Sequence, residues 1–428
     1  MKRIVMFVAL VGCCICPMIA QAQQFRVRVL SGGSLISSTE TFVSDGYNVS
    51  LNVLVAGTGQ TALAVVDTSS ENVLKHLSVQ ITKPSGAGNV QCNLVVQGTG
   101  TSGRVVRCES IAKNVASDAG TDLLVGLVHV RKTSGGAEGN IGHAGTSPGG
   151  SIVANSIGEL RTEGHLTAGV NVVDGVFNPQ HNISFLNITG NIYGDIDASH
   201  GSIIRIESGG TVGTISSPVS IEAGTSMVGT SGVLERLVAG EIHAHIATNS
   251  TGLIQHIQTT GAGSLNGDFT GSLFTNNIAV NNGANPQGFE IAGDLLAEIL
   301  VVDSALLPVT IFGDVDADIT VGEVLDADMV IGGDLLTFLF VGTLDAARAI
   351  LIDGSLDSLG EILLGSSGLE GQIVINANPS LSGTWDGDVT VGSTTLATAP
   401  YYSNLPSTLG GGAVGLAPYQ IHSAACVW

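Results

Sequence analysis

Residues 309–335 read VTIFGDVDADITVGEVLDADMVIGGDL, and similar text recurs on either side at a nearly fixed interval. Aligned on Gly293, Gly313, Gly333 and Gly354, the segments are FEIAGDLLAEILVV, VTIFGDVDADITVG, MVIGGDLLTFLFVG and ILIDGSLDSLGEIL, spaced by 20, 20 and 21 residues. Two positions before the glycine stand Ile291, Ile311, Ile331 and Ile352, and two after it stand Leu295, Val315, Leu335 and Leu356. Eight after it come Val301, Val321, Val341 and Ile362. Side chains alternate faces along a strand, so same-parity columns of branched apolar residues mark an inward face. A fixed period of about twenty residues is the signature of stacked coils, each too small to bury its own inner face. The glycine column marks corners that need either unusual backbone angles or a missing Cβ.

The same Gly-polar-apolar triplet recurs at Gly158-Glu159-Leu160, Gly194-Asp195-Ile196, Gly240-Glu241-Ile242, Gly267-Asp268-Phe269, Gly371-Gln372-Ile373 and Gly387-Asp388-Val389. These extend the reading to an all-β chain with a parallel β-solenoid over 137–395, a rod of about thirteen coils and roughly 60 Å at ~4.8 Å per coil. Upstream, residues 23–135 hold short apolar or alternating runs separated by turn residues, the pattern of a small β-sandwich-like domain. The Gly/Ser-rich segment SGGAEGNIGHAGTSPGGS separates the two. Residues 396–428, broken by Pro400, Pro406 and Pro418, read as a cap over the open end of the rod.

The N-terminus carries Lys2 and Arg3, an apolar stretch from Ile4 to Ile19, and Ala20-Gln21-Ala22, the pattern of a secretory signal over residues 1–22. Leu10-Val11-Gly12-Cys13 offers a second reading, a bacterial lipobox that would leave Cys13 lipidated. Either way the expected location is extracellular or at a bacterial cell surface. No later run is long and apolar enough to cross a bilayer as a helix. The chain ends in Trp428, but the Gly/Pro-rich text before it lacks the alternating strands of a membrane barrel.

Charge is divided unevenly. Up to Lys132 eleven basic residues face seven acidic ones, whereas beyond it only Arg161, Arg205, Arg236 and Arg348 face twenty-nine acids, within an overall charge of −21. Such a surface repels phosphate backbones and anionic headgroups, which excludes nucleic-acid binding and leaves cations, cationic proteins and neutral glycans as partners. Export permits disulfides. Cys92 and Cys108 stand symmetrically about Gly100 in NVQCNLVVQGTGTSGRVVRCES, which reads as a hairpin with a cross-strand disulfide, two free thiols being the other reading; Cys426 has no evident partner.

The repeat VTIFGDVDADITVGEVLDADMVIGGDL resembles the Gly-Asp-Val-x-Ala repeats of bactofilins, polymer-forming parallel β-helices, over three or four coils. Over most of its length the pattern is similar to secreted bacterial β-helix proteins of surface and adhesin type. The resemblance implies a structural or adhesive role and, from bactofilins, self-association.

Several clusters are candidates for chemistry. Asp294, Asp314 and Asp334 form one outward column with about 5 Å between stacked coils, where bare carboxylates repel by about 1 kcal/mol even in bulk water. Calcium would offset this, with Asp316 and Asp318 nearby, because oxygen ligands suit that cation. Alternatively each aspartate bonds turn backbone and stays solvated. Glu241, His243 and His245 alternate on one strand and match zinc ligand types, while His256 has no assigned face; a solvated surface is the other reading. Gly145-Thr146-Ser147-Pro148-Gly149 matches the G-x-S-x-G elbow, but Pro148 removes the N–H that an oxyanion hole uses. Phe312, Leu336, Phe338 and Phe340 fall at outward positions and form either a partner surface or a patch covered by loop or tail. The expected function is therefore a secreted or surface scaffold that binds a glycan or protein partner through its repetitive acidic face, with no cofactor beyond calcium. A polysaccharide-active β-helix enzyme and a self-assembling filament or coat subunit are the alternatives; the sparse aromatics, with Trp385 and Trp428 at the far end, and the scarcity of cations speak against a lyase.

Overall fold

The computed structural model describes the backbone of strands from residue 23 onward. It describes side chains from 127 to 390, apart from 133–137, 143–150, 173–181, 227–231, 281–287, 366–370 and 376–386. Beyond 390 it describes Val391 and the strands Thr394–Ala397, Ala413–Leu416 and Tyr419–His422. The leader at 1–22, with Cys13, lies outside the described residues, as do Cys426, Trp385, Trp428 and the Gly145–Gly149 motif.

The chain folds into two large sheets, of 19 and 16 strands among the described residues, whose strands alternate along the sequence. This is a parallel β-solenoid. In the wider sheet Val309–Ile311 lies between Gly288–Ile291 and Met329–Ile331, and the latter pairs with Ala349–Ile352, all in parallel. In the narrower sheet Leu295–Val301, Ile319–Leu325, Phe338–Leu344 and Glu361–Leu364 stack in the same way. Single bridges join the layers at the corner between, Leu295 to Val315 to Leu335 to Leu356.

The inward residues of one coil are Val309, Ile311, Val315, Ile319, Val321 and Leu325, all essentially sealed from solvent. Their spacing of two, four and four residues repeats within the coil, so 309–318 and 319–328 are two versions of one half-turn. The isoleucine column runs Ile291, Ile311, Ile331, Ile352 and Ile375, pair by pair. Each such side chain contributes about 1.5–3 kcal/mol by leaving water, and only the neighbouring coils make that burial complete.

The ladder does not stop near residue 136. Thr61–Thr68, Val90–Gly98 and Leu123–Val130 pair in parallel, and the last pairs with Ser156–Thr162. Val49–Leu54, Leu77–Thr82 and Ser110–Lys113 likewise lead into Ser151–Ala154 of the narrower sheet. Apart from Val106–Cys108, the described strands of the 23–135 segment thus belong to the same two sheets as those downstream, because their apolar runs find partners one coil away.

That preference overturns the disulfide. Val90–Gly98 has no hairpin partner: Cys92 lies in register with Ala62 on one side and Val125 on the other. Val106–Cys108 pairs instead with Gly139–Ile141, placing Cys108 opposite Ile141. The symmetric text around Gly100 fits a hairpin or two solenoid strands equally, and parallel pairing wins: Val90–Gly98 joins the wider sheet, while Val106–Cys108 forms a separate two-stranded pair with Gly139–Ile141.

Among the described residues, antiparallel pairing of strands is confined to the ends. Gln23–Ser31 pairs antiparallel with Ser34–Val43 and with Thr61–Thr68. At the other end Asp388–Val391 pairs with Thr394–Ala397, and Ala413–Leu416, added to Gln372–Ile375, pairs with Tyr419–His422.

Candidate functional site

The glycine corner is a polar spine. Gly293, Gly313, Gly333 and Gly354 keep ordinary backbone angles, so conformational freedom does not explain them. Close approach does: a Cβ on Gly333 would collide with the Asp314 carboxylate and lie 2.7 Å from the Gly313 carbonyl carbon. Each carboxylate then accepts the amide of the next coil. Asp294 N–H donates to Asp268 over 3.0 Å, Asp314 to Asp294 over 2.9 Å, Asp334 to Asp314 over 2.8 Å, and Ser355 to Asp334 over 2.6 Å. The repulsion that suggested calcium is thus met by backbone donors.

The spine continues upstream with other residues. His165 N–H donates to Oδ1 of Asn140 over 2.6 Å, Asn191 N–H to Nδ1 of His165 over 2.8 Å, and Thr211 N–H to Oδ1 of Asn191 over 3.0 Å. Each follows a glycine, at Gly139, Gly164, Gly190 and Gly210. Asp318 plays the same part at the neighbouring corner, accepting the amide of Phe338 over 3.2 Å, while Asp316 is exposed. Among the described residues no group of three or more His, Cys, Asp and Glu is placed to hold a metal ion.

Glu241, His243 and His245 share the strand Glu241–Thr248 but do not converge. His243 is 5% exposed, with Nε2 3.4 Å from Glu241 Oε2 and Nδ1 2.8 Å from Thr270 Oγ1 one coil on. His245 is exposed and meets Ser272 Oγ at 2.9 Å. His256 lies on the other sheet, where its buried Nδ1–H donates to the Gly288 carbonyl over 2.8 Å. Burial holds its pKa below the usual 6.5, with Arg236 adding to the effect. A shallow cavity of about 410 Å³ opens beside His243, walled by Thr211 and the turn Gly213–Ser216. Gly213, at φ 73°, makes that turn, and Thr214 and Ser217 close it through reciprocal backbone bonds of 3.1 and 3.0 Å.

Of the four apolar candidates, three come together. Leu336, Phe338 and Phe340 lie half-buried along one coil, with the two rings stacked at 6.5 Å and 16°. Phe312 is 57% exposed but stands at the end of a strand of the wider sheet, around the glycine corner from them. Sequence reasoning missed their real neighbours. Phe274, Leu300, Thr320, Phe340 and Leu363 form one outward column, coil upon coil. Phe274 and Leu300 are 26 residues apart, so a twenty-residue ruler does not align them.

Of the arginines beyond Lys132, Arg161, Arg205 and Arg236 lie on strands of the wider sheet. Arg205 lies directly opposite Arg236, and Glu207 takes both, at 2.5 Å from the former and 3.5 Å from the latter. The Arg205 guanidinium also sits 4.7 Å over the Phe185 ring. On the narrower sheet, the Glu323 carboxyl is pushed above its usual range by a hydrogen bond and charge repulsion from Asp303. Comparison of the chain with family models, curated proteins and solved structures finds no match.

Proposed function

We propose that this chain is an exported surface scaffold, a structural and binding protein that presents a repeating acidic face to a macromolecular partner. The observation that carries this reading is the uninterrupted parallel ladder from Thr61 to Ile375, whose outward positions recur coil after coil in line. A repeated surface gains affinity by engaging many weak contacts at once.

Two further features support it over its rivals. Among the described residues, the carboxyl pair Asp303 and Glu323 stands within hydrogen-bonding reach, too close to flank a glycosidic bond, which needs about 5–9.5 Å between the groups. The antiparallel hairpins at the ends differ from the parallel coils between them, which disfavours growth into a filament by adding further parallel coils.

The test is an array of polysaccharides and surface proteins probed with the purified full-length exported protein, scoring retention and new reducing ends together. Retention without cleavage is expected. Release of reducing ends from any polysaccharide overturns the scaffold reading in favour of an enzyme.

A further inference from the structure

The outer face of the narrower sheet carries two parallel tracks. One is the apolar column Phe274, Leu300, Phe340 and Leu363, interrupted only by Thr320, with Phe274 39% exposed and the others half-buried. Two residues earlier on each strand runs a second track, Glu298, Asp318, Phe338, Glu361 and Asp388. Three of its four acids, Glu298, Asp318 and Asp388, are exposed, and Phe338 widens the apolar track by stacking on Phe340. Two residues of strand separate the tracks by about 6.6 Å, and coils repeat along them at about 4.8 Å.

That spacing selects an occupant. An α-helix lying along the solenoid axis rises about 5.4 Å per turn, so successive turns nearly match successive coils. Such a helix would lay one apolar stripe on the Phe274–Leu363 column and an adjacent cationic stripe on the acids. The coils that carry this face are poor in cations of their own. The chain has no lysine beyond Lys132, and in the described structure Arg205 and Arg236 are engaged by Glu207 on the other sheet. The same face of a second copy would present like charge to like charge.

Resting on the scaffold reading above, we propose that this face docks a cationic amphipathic helix of a partner protein. Apolar contact fixes the helix on the aromatic column, and the acid track sets its orientation and its preference for Lys and Arg.

The probe is a synthetic eighteen-residue helical peptide with a leucine stripe beside a lysine stripe, titrated into the full chain by fluorescence anisotropy. Two control peptides replace lysine by glutamate or leucine by serine. Binding of the first alone is expected. Leu300→Ser with Leu363→Ser should weaken it at least tenfold, and so should Glu298→Gln with Glu361→Gln, which also flattens its salt dependence. The second pair keeps the test sound if the first pair unfolds the chain, which melting reports. Equal binding of the serine-substituted peptide, or affinity unmoved by the glutamine pair, overturns the proposal. Concentration-dependent dimers abolished by the serine pair also overturn it, by seating a second copy there. Loss of this docking with array binding intact leaves the scaffold reading standing, whereas cleavage on the array removes that reading by itself.

Discussion

The backbone N–H of Asp314 donates to Oδ1 of Asp294, one coil away, over 2.9 Å. The bond needs an acceptor oxygen rather than a charge, and upstream Asn140 and Asn191 fill the same position with an amide oxygen. Asp294→Asn should therefore cost under about 1 kcal/mol, whereas Asp294→Ala, which strands a half-buried amide, should cost about 1–3 kcal/mol. Urea denaturation of the two variants checks the difference, and equal losses would contradict the acceptor role.

Removal of divalent cations follows from the same bonds. With Asp294, Asp314 and Asp334 each held by the next coil's amide, melting in millimolar chelator should match melting without it. A melting temperature that falls with chelator and returns with calcium would show that the aspartates hold a cation as well.

Gly333 has its own expected cost. Alanine there places a Cβ 2.7 Å from the Gly313 carbonyl carbon and against the Asp314 carboxylate, so Gly333→Ala should destabilise by about 1–3 kcal/mol. Combining it with Asp314→Ala should recover part of the loss, since one of the two colliding groups is gone. The backbone collision remains, and a strictly additive double mutant would place the strain elsewhere.

Burial rather than residue type sets the apolar costs. Ile331, fully buried in the isoleucine column, should lose about 2–5 kcal/mol on change to alanine. Leu306, 46% exposed at a corner, should lose no more than about 0.5 kcal/mol for the same change. Paired denaturation curves report both.

Two histidines make the fold sensitive to acid. Burial holds His129 and His256 below 6.5, with Glu163 partly opposing the shift at His129 and Gly288 at His256. The unfolded chain thus binds protons more readily than the folded one. Their contribution is complete above pH 6.5 and is lost as pH falls from there through the lowered folded values, at up to about 1.4 kcal/mol per pH unit for each group. His256→Gln should flatten stability measured between pH 7.5 and 5, and an unchanged slope would count against the buried neutral imidazole.

The fold was legible where the ruler was constant. Over residues 289–363 three intervals of 20 or 21 align glycine and isoleucine, with aspartate after the glycine in the first three coils and Ser355 in the fourth. Upstream, spine glycines at 139, 164, 190, 210 and 240 are separated by 20 to 30 residues, and their partners are Asn, His, Asn, Thr and Glu. No single motif connects these: Asn140, His165, Asn191 and Glu241 each aim an oxygen or ring nitrogen at an amide one coil on, and Thr211 takes part through its own amide. Gly158 and Gly194 matched the triplet yet belong elsewhere: Gly158 lies inside the strand Ser156–Thr162, and Gly194 lies against the Ala168 backbone. The candidate face was legible only in part, because Phe340 announces itself in the sequence while its companion Phe274 is revealed by pairing alone.

Near-identity of the later coils bears on how the chain acquires its shape. Met329–Ile331 would meet an equivalent isoleucine whether it settled on Val309–Ile311 or skipped to Gly288–Ile291. A slip by a whole layer sacrifices little there, whereas farther up the changing spine residue and unequal loop lengths give each layer its own address. Misthreaded intermediates should accumulate in the most regular part of the rod, so that the stretch easiest to read as a repeat is also the one slowest to sort itself into order.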